Sequence, residues 1–339
     1  MSSFHSIGDL SRSYQLRLGQ HGLKTRLDRL TEELMTGVKA DIPKALAGDI
    51  SGLAHIESRM KMLQTFQQNA SEGQNRFTTM QSVLERMQSV VDELGPRLLS
   101  EPSIASDQDL RNRADNARQD FQSMLTALNT SSGGQYLFSG SKSDSAPIGA
   151  LTAMLADLNA AVAGATTAAG IAGRIDAWFD SAPGSGGFAD TFYQGDDSGD
   201  TRFLISPDRH INSKLTANSS ELRDTLKGMA IITYASEAGA AISTDTLREL
   251  FSEAGARLVK ATITLTSARS DLGQQQAAIT QAQARNAAEI TALSLARTNM
   301  VGADPYETTT ALEETEARIQ SLYALTARLS KLSLTDYLS

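Results

Sequence analysis

The stretch Phe77-Thr78-Thr79-Met80-Gln81-Ser82-Val83-Leu84-Glu85-Arg86-Met87-Gln88-Ser89-Val90-Val91-Asp92-Glu93-Leu94-Gly95-Pro96-Arg97-Leu98 decides how the rest of the chain is read. Phe77, Leu84, Val91 and Leu98 recur every seven residues, with Met80, Met87 and Leu94 at the same spacing between them. Two interleaved apolar rows of this kind make a narrow stripe on one face of a helix, the pattern of helices packed side by side. The methionines alternate with Leu and Val, so core packing accounts for them. A helix is expected over about Leu53–Leu99. Gly95-Pro96 should end or kink it near its last turn, because proline lacks the amide hydrogen and crowds the preceding turn.

Similar rows lie on either side. Leu16, Leu23 and Leu30 repeat at seven and Leu27 and Leu34 form the complementary row, which predicts a helix over about Ile7–Val38 closed by Gly37. Lys39–Gly52, with Pro43, Gly48 and Gly52, reads as an irregular connection. Ser106 is suited to cap a further helix reaching about Asn129, with Asp109 at its third position. Its rows are Leu110, Ala117 and Met124, and Ala114, Phe121 and Leu128. The short linker predicts that it folds back antiparallel on the helix before it.

At Ser131 the character changes. Ser131-Ser132-Gly133-Gly134 reads as a turn and Gln135-Tyr136-Leu137-Phe138 as a strand. From about Ser143 to Lys214 the heptads vanish among Pro147, Pro183, Pro207 and the cluster Gly184-Ser185-Gly186-Gly187. Two short helices, about Ile148–Ala163 and Ile171–Phe179, and the apolar runs Phe192-Tyr193 and Arg202–Ile205 suggest a small separate domain of mixed structure. Helical periodicity returns after Ser220 with Leu222, Leu226, Met229 and Ile232. A very long helix then extends to about Asp304, carrying Leu265, Leu272, Ile279, Leu293 and Met300 in one row. Asn286 occupies that row, where a buried Asn would fix the register between paired helices. Asp304-Pro305 interrupts it, and a last helix over Tyr306–Tyr337 carries Leu312, Ile319, Leu322, Leu325, Leu329 and Leu332.

The fold expected is mainly α. Long coiled-coil-like helices from both chain ends form a rod, and a small mixed α/β or β-rich domain is inserted in the middle. The segments are 1–40 (N-terminal helix of an inner assembly domain), 41–142 (helical rod), 143–215 (inserted domain), 216–303 (returning rod) and 304–339 (C-terminal assembly helix). A chain that goes out and returns along helices brings its ends together. Those ends are short of partners. Five leucines in the first seam contribute about 1.5–3 kcal/mol each if fully buried, against roughly 1.5 kcal/mol for ordering each of some 30 residues. Pairing the two terminal helices still leaves apolar rows facing outward. Leu16, Leu23, Leu27, Leu30, Leu34, Leu312, Ile319, Leu322, Leu325, Leu329 and Leu332 are therefore the candidate assembly interface, ordered when other subunits cover them.

The composition narrows the function. A net charge of -8 with Lys and Arg dispersed argues against a nucleic-acid binder. The absence of cysteine excludes disulfides, thiolate metal sites and a catalytic thiol. No run approaches a membrane span, and Met1–Gln20 lacks the apolar core of a secretory signal. His5, His21, His55 and His210 are scattered at no metal-binding spacing. Asp196, Asp197 and Asp200 have the look of a calcium loop. Counted from Asp196, however, the sixth position is Thr201 and the twelfth Pro207, so a polar turn between strands is expected instead. Gly184–Gly187 follows Pro183 rather than a strand and does not make a dinucleotide turn, and no glycine immediately precedes Lys142 in Gly140-Ser141-Lys142-Ser143 as a P-loop would require. No catalytic residue, cofactor or metal is expected.

Five segments resemble one known family. Leu30-Thr31-Glu32-Glu33-Leu34-Met35-Thr36-Gly37-Val38-Lys39 resembles the stretch that ends the first terminal helix of flagellins and flagellar hook-associated protein 3. Asp49-Ile50-Ser51-Gly52-Leu53-Ala54 is similar to the segment that follows it, although the connection through Pro43 is longer than the usual one. Tyr136-Leu137-Phe138-Ser139-Gly140-Ser141, Tyr193-Gln194-Gly195-Asp196-Asp197 and the closing Ser333-Leu334-Thr335-Asp336-Tyr337-Leu338 resemble segments of the hook-associated protein 3 branch. The resemblance implies a structural subunit of the extracellular flagellum, exported without a cleaved signal. It would form a homo-oligomeric ring between hook-associated protein 1 and the flagellin filament, with an export chaperone covering its C-terminal helix beforehand. It implies no enzyme, no nucleic acid and no membrane partner. The rivals are flagellin itself and a non-flagellar coiled-coil interaction protein.

Overall fold

A computed structural model describes residues 5–100, 102, 105–197 and 201–338, the side chains at 5–10, 12, 13, 201, 240 and 329–338 excepted. In chain order the elements begin with α1 (His5–Thr36), α2 (Ile42–Ala45), α3 (Ser51–Ser100) and α4 (Asp107–Leu128). A hairpin of β1 (Ser131–Ser132) and β2 (Gln135–Tyr136) follows, then α5 (Leu151–Ala161), α6 (Ala168–Phe179) and α7 (Phe188–Thr191). A second hairpin, β3 (Thr201–Ser206) with β4 (Arg209–Ser213), leads into α8 (Ser220–Ala238), α9 (Thr244–Val301) and α10 (Pro305–Leu338). The chain is 75% helical, with long helices toward both ends and a small β-containing middle region that forms no closed sheet, as the periodicities require.

Contacts divide the chain into two compact units. One comprises the residues up to Gln64 with those from Ala287 onward, and the other is Thr65–Asn286. The larger unit has one continuous apolar core. Phe77, Leu84, Val91 and Leu98 are buried in it, as are Met80 and Met87, so both rows of the opening stretch face inward. Residues 143–215 supply Ile148, Met154, Leu158, Ile175, Phe179 and Phe188 to this same core. Phe179 stacks on Phe188 at 5.0 Å, and Trp178 meets the Phe179 ring edge-on at 5.0 Å.

The helix α3 ends at Ser100, one turn after Pro96, close to the end that Gly95-Pro96 predicts. The capping of α4 is as read, with Ser106 Oγ accepting from the Asp109 amide at 3.2 Å; α4 runs back along α3, where Glu93, Leu94 and Leu98 line one groove with Asp120, Ala117 and Arg113, and it packs on α8 as well. Asn286 is buried yet sets no helix register. Its side chain donates to the Ile205 carbonyl of β3 at 3.0 Å, tying the hairpin to α9.

The Asp196 region is also not the turn between strands that its composition suggests. One strand, β3, follows it, and Ser198–Asp200 lie outside the described residues. Asp196 and Asp197 close a clasp. The Asp196 amide donates to the Ser139 carbonyl at 2.9 Å, and the Ser141 hydroxyl donates to the Asp196 carboxylate at 2.6 Å. Asp197 accepts from Thr216 Oγ1 at 2.7 Å and from Asn218 Nδ2 at 2.5 Å. Gly140 makes a parallel bridge with Asp196 at φ +66°, and a Cβ there would fall 1.8 Å from the Asp196 carbonyl oxygen. Only glycine fits. Thus Tyr136–Ser141 and Tyr193–Asp197, distant in sequence, are two halves of one closure. The glycine cluster has a similar structural role. The amides of Gly184 and Gly186 donate to the Asp190 carboxylate at 2.8 Å each, holding it below the usual carboxylate range.

Candidate assembly surface

In the smaller unit α1 and α10 lie side by side. Gly37 ends α1, its amide donating to the Glu33 carbonyl at 2.9 Å. Val38 and Gly302 then form an antiparallel bridge, with the Lys39 amide donating to Val301 at 2.9 Å and the Ala303 amide to Gly37 at 3.0 Å. The helix α10 opens at Pro305, where a missing amide costs no helical bond. Behind it the Asp304 carboxylate accepts from the amides of Tyr306 and Glu307 at 2.8 and 3.2 Å. Further along, Gln20 Nε2 donates to the Tyr323 hydroxyl at 3.0 Å. The two helices therefore run antiparallel, with Gln20 level with Tyr323 and Val38 level with Gly302.

This register brings the candidate rows together without covering them. Leu30 is buried, whereas Leu16, Leu23, Leu27, Leu312, Ile319 and Leu322 are half-buried. Leu34 and Leu325 are 42% and 51% exposed. The side chains of Leu329 and Leu332 lie outside the described residues. Leu23, Leu322 and Leu325 line one shallow groove of about 420 Å³, edged by the Arg318–Glu314 ion pair. Two polar residues, Thr308 and Thr315, are buried on α10, and Thr315 satisfies its hydroxyl on the Ala311 carbonyl at 2.7 Å.

Further exposed apolar side chains escape the heptad reading: Tyr14, Leu18, Met35, Tyr306 and Tyr323. Tyr14 and Leu18 are four residues apart, on the side of α1 away from the Leu16–Leu23–Leu30 row. Large apolar residues on that face were the available signal. Gly19 and Gly22 also sit inside α1 with nothing within 4 Å of where a Cβ would be. Elsewhere in this unit Arg59 and Glu289 form a bidentate pair at 2.6 and 3.2 Å, which holds the Glu289 carboxyl below its ordinary range. Among the described residues no cluster of three or more His, Cys, Asp or Glu could hold a metal, and no helix is long and apolar enough to cross a membrane.

Paired long helices from the two chain ends, with their apolar rows half covered, are the architecture of a subunit that packs by its helices. The family model of the bacterial flagellin N-terminal helical region matches residues 13–143, and that of the flagellin C-terminal helical region matches residues 257–338. The chain belongs to the bacterial flagellin family, whose members are structural proteins of the flagellum. Among solved structures, a protein from Vibrio parahaemolyticus assigned as a flagellar hook-associated protein is similar at a TM-score of 0.51 and 12% identity, over 75% of this chain and 99% of that one. That likeness shows a shared fold. FlgL from Bacillus cereus is similar at 0.49 and 14% identity, over 72% of this chain and 100% of that one. No curated protein matches the sequence.

Proposed function

We propose that this chain is a hook-associated protein 3, a structural subunit that joins the hook, through hook-associated protein 1, to the flagellin filament. The observation that carries the reading is the α1–α10 seam, in which, among the described side chains of the candidate rows, Leu30 is buried while the rest are half-buried or exposed. Apolar rows left in this state gain from burial against further copies. In this reading Leu16, Leu23, Leu27, Leu30, Leu34, Leu312, Ile319, Leu322, Leu325, Leu329 and Leu332 form the assembly interface of a ring. Residues 1–40 and 304–339 are its inner layer, 41–142 and 216–303 the helical rod, and 143–215 the outer domain. The protein works outside the cell after export, with a chaperone covering α10 beforehand, and needs no cofactor. The junction role is favoured by Tyr136–Ser141 and Tyr193–Asp197, which resemble that branch's segments and meet in the clasp.

A filament subunit is the second reading, favoured by the match of both flagellin helical-region models. A deletion strain separates the two. A junction protein leaves intact hooks and flagellin shed into the medium. Hooks that still carry full filaments after deletion, or long filaments grown from the purified chain alone, overturn the junction role.

A further inference from the structure

Charge is distributed unevenly over the two terminal helices. Between Arg17 and Arg29, α1 carries the cations Arg17, Lys24, Arg26 and Arg29 against one carboxylate, Asp28. Between Glu307 and Glu316, α10 carries the carboxylates Glu307, Glu313, Glu314 and Glu316 and no cation. Arg17, Lys24, Glu307, Glu313 and Glu316 are exposed. Within one molecule the pairing of Gln20 with Tyr323 sets Arg17 and Lys24 level with residues beyond the acidic stretch, while Arg29 lines one groove with Glu307 without pairing with it. Among the described residues none of the four cations forms an ion pair, and neither do Glu307, Glu313 or Glu316. Glu314 is taken by Arg318 of its own helix. The intramolecular pair uses its apolar seam and leaves its charge complementarity unused.

We propose that the basic stretch of α1 docks on the acidic stretch of α10 in a second copy of this chain. The inference rests on the assembly role above and adds which neighbour is met and in what register. Setting the two stretches level requires a stagger of about seven residues from the intramolecular register, roughly 10 Å at the helical rise. Exposed ion pairs contribute little affinity each, but they set orientation and register. A contact of cations on one helix with carboxylates on the other is head-to-tail, and contacts of that type generate rings or filaments rather than closed pairs.

The test uses hooks carrying hook-associated protein 1, isolated from the deletion strain, and the purified full-length chain added over a range of concentrations. R17E/K24E and E313K/E316K should each raise the half-saturating concentration about tenfold at low salt, while melting as the native chain does. The combined four-fold swap restores complementarity between copies and should return to within about threefold of the native value. High salt should shrink these differences. Reversal variants that bind like the native chain, or a swap no better than either half, overturn the charge contact and leave the assembly role standing. A native chain that does not bind hooks at all overturns both.

Discussion

Gly140→Ala isolates the clasp from the rest of the larger unit. The substitution places a Cβ 1.8 Å from the Asp196 carbonyl oxygen in a residue at φ +66°. The left-handed conformation itself costs an L-residue about 1–2 kcal/mol. The clash falls on backbone, so no rotamer relieves it. The chain must separate Gly140 from Asp196, weakening the Asp196-to-Ser139 and Ser141-to-Asp196 backbone bonds, at about 0.5–1.5 kcal/mol each. The total is roughly 2–5 kcal/mol. For a unit of this size 1 kcal/mol shifts the melting temperature by about 2–4 °C, so a loss near 3 kcal/mol lowers it by roughly 6–12 °C. Gly133→Ala is the control. It has a similar φ of +61° and nothing within 4 Å of the added carbon, so it should show the dihedral cost alone. The assay is thermal unfolding of the full chain by circular dichroism, with near-ultraviolet signal from Trp178 and Tyr193 reporting on the middle region. If Gly140→Ala and Gly133→Ala melt together, the contact with Asp196 does not constrain the fold and the reasoning is wrong.

The remaining predictions concern charge and the terminal pair. Burial and the nearby Glu93 carboxylate push the half-buried Asp120 above the usual aspartate range, so the folded state holds its proton more tightly than the unfolded one. That contribution is present at low pH and is lost as pH rises through the folded value. Asp120→Asn should accordingly melt higher than the native chain at neutral pH and lose its advantage in acid; equal melting at both pH values would refute this. Leu30→Ala removes the seam leucine that is buried among the described side chains. It should cost about 2 kcal/mol of α1–α10 pairing, at the lower end for such truncations, so limited proteolysis should cut α1 several-fold faster while the larger unit melts unchanged. Gly19→Ala should strengthen α1 by about 1 kcal/mol in the free chain, because a helix-interior glycine there meets nothing. Slower cleavage of α1 is the expected reading, and faster cleavage would show that the position is crowded after all.

Periodicity made the helices legible because each one buries a stripe. The rows through Phe77, Met80 and Leu84 announce which face of α3 turns inward. They do not announce every partner: α4 lies against α3, as its short linker suggests, and against α8 too, which no spacing foretells. Local chemistry was equally readable where it is self-contained. Ser106 caps α4 on Asp109, and Gly133-Gly134 turns the first hairpin between β1 and β2. The second hairpin was only half visible. The run Arg202–Ile205 is apolar enough to suggest β3, but Arg209–Ser213 is mostly polar and is recruited by pairing with β3. The clasp depends on residues that touch across 55 positions of sequence, and no spacing rule reports that. At the terminal pair the heptads brought out Leu16 to Leu34 and Leu312 to Leu325, of which Leu30 is buried and Leu34 and Leu325 are exposed, while Tyr14, Leu18 and Tyr306 on other faces belong to no row.

The bridge between Val38 and Gly302 has a consequence for how the molecule comes into being. Gln20 and Tyr323 are 303 residues apart, so in a polypeptide made from its amino end α1 waits through the synthesis of that whole interval before its mate exists. Joining segments so remote is slow, because the chain entropy of bringing them together must be overcome before any contact forms. Early closure of the terminal pair is therefore disfavoured by connectivity alone.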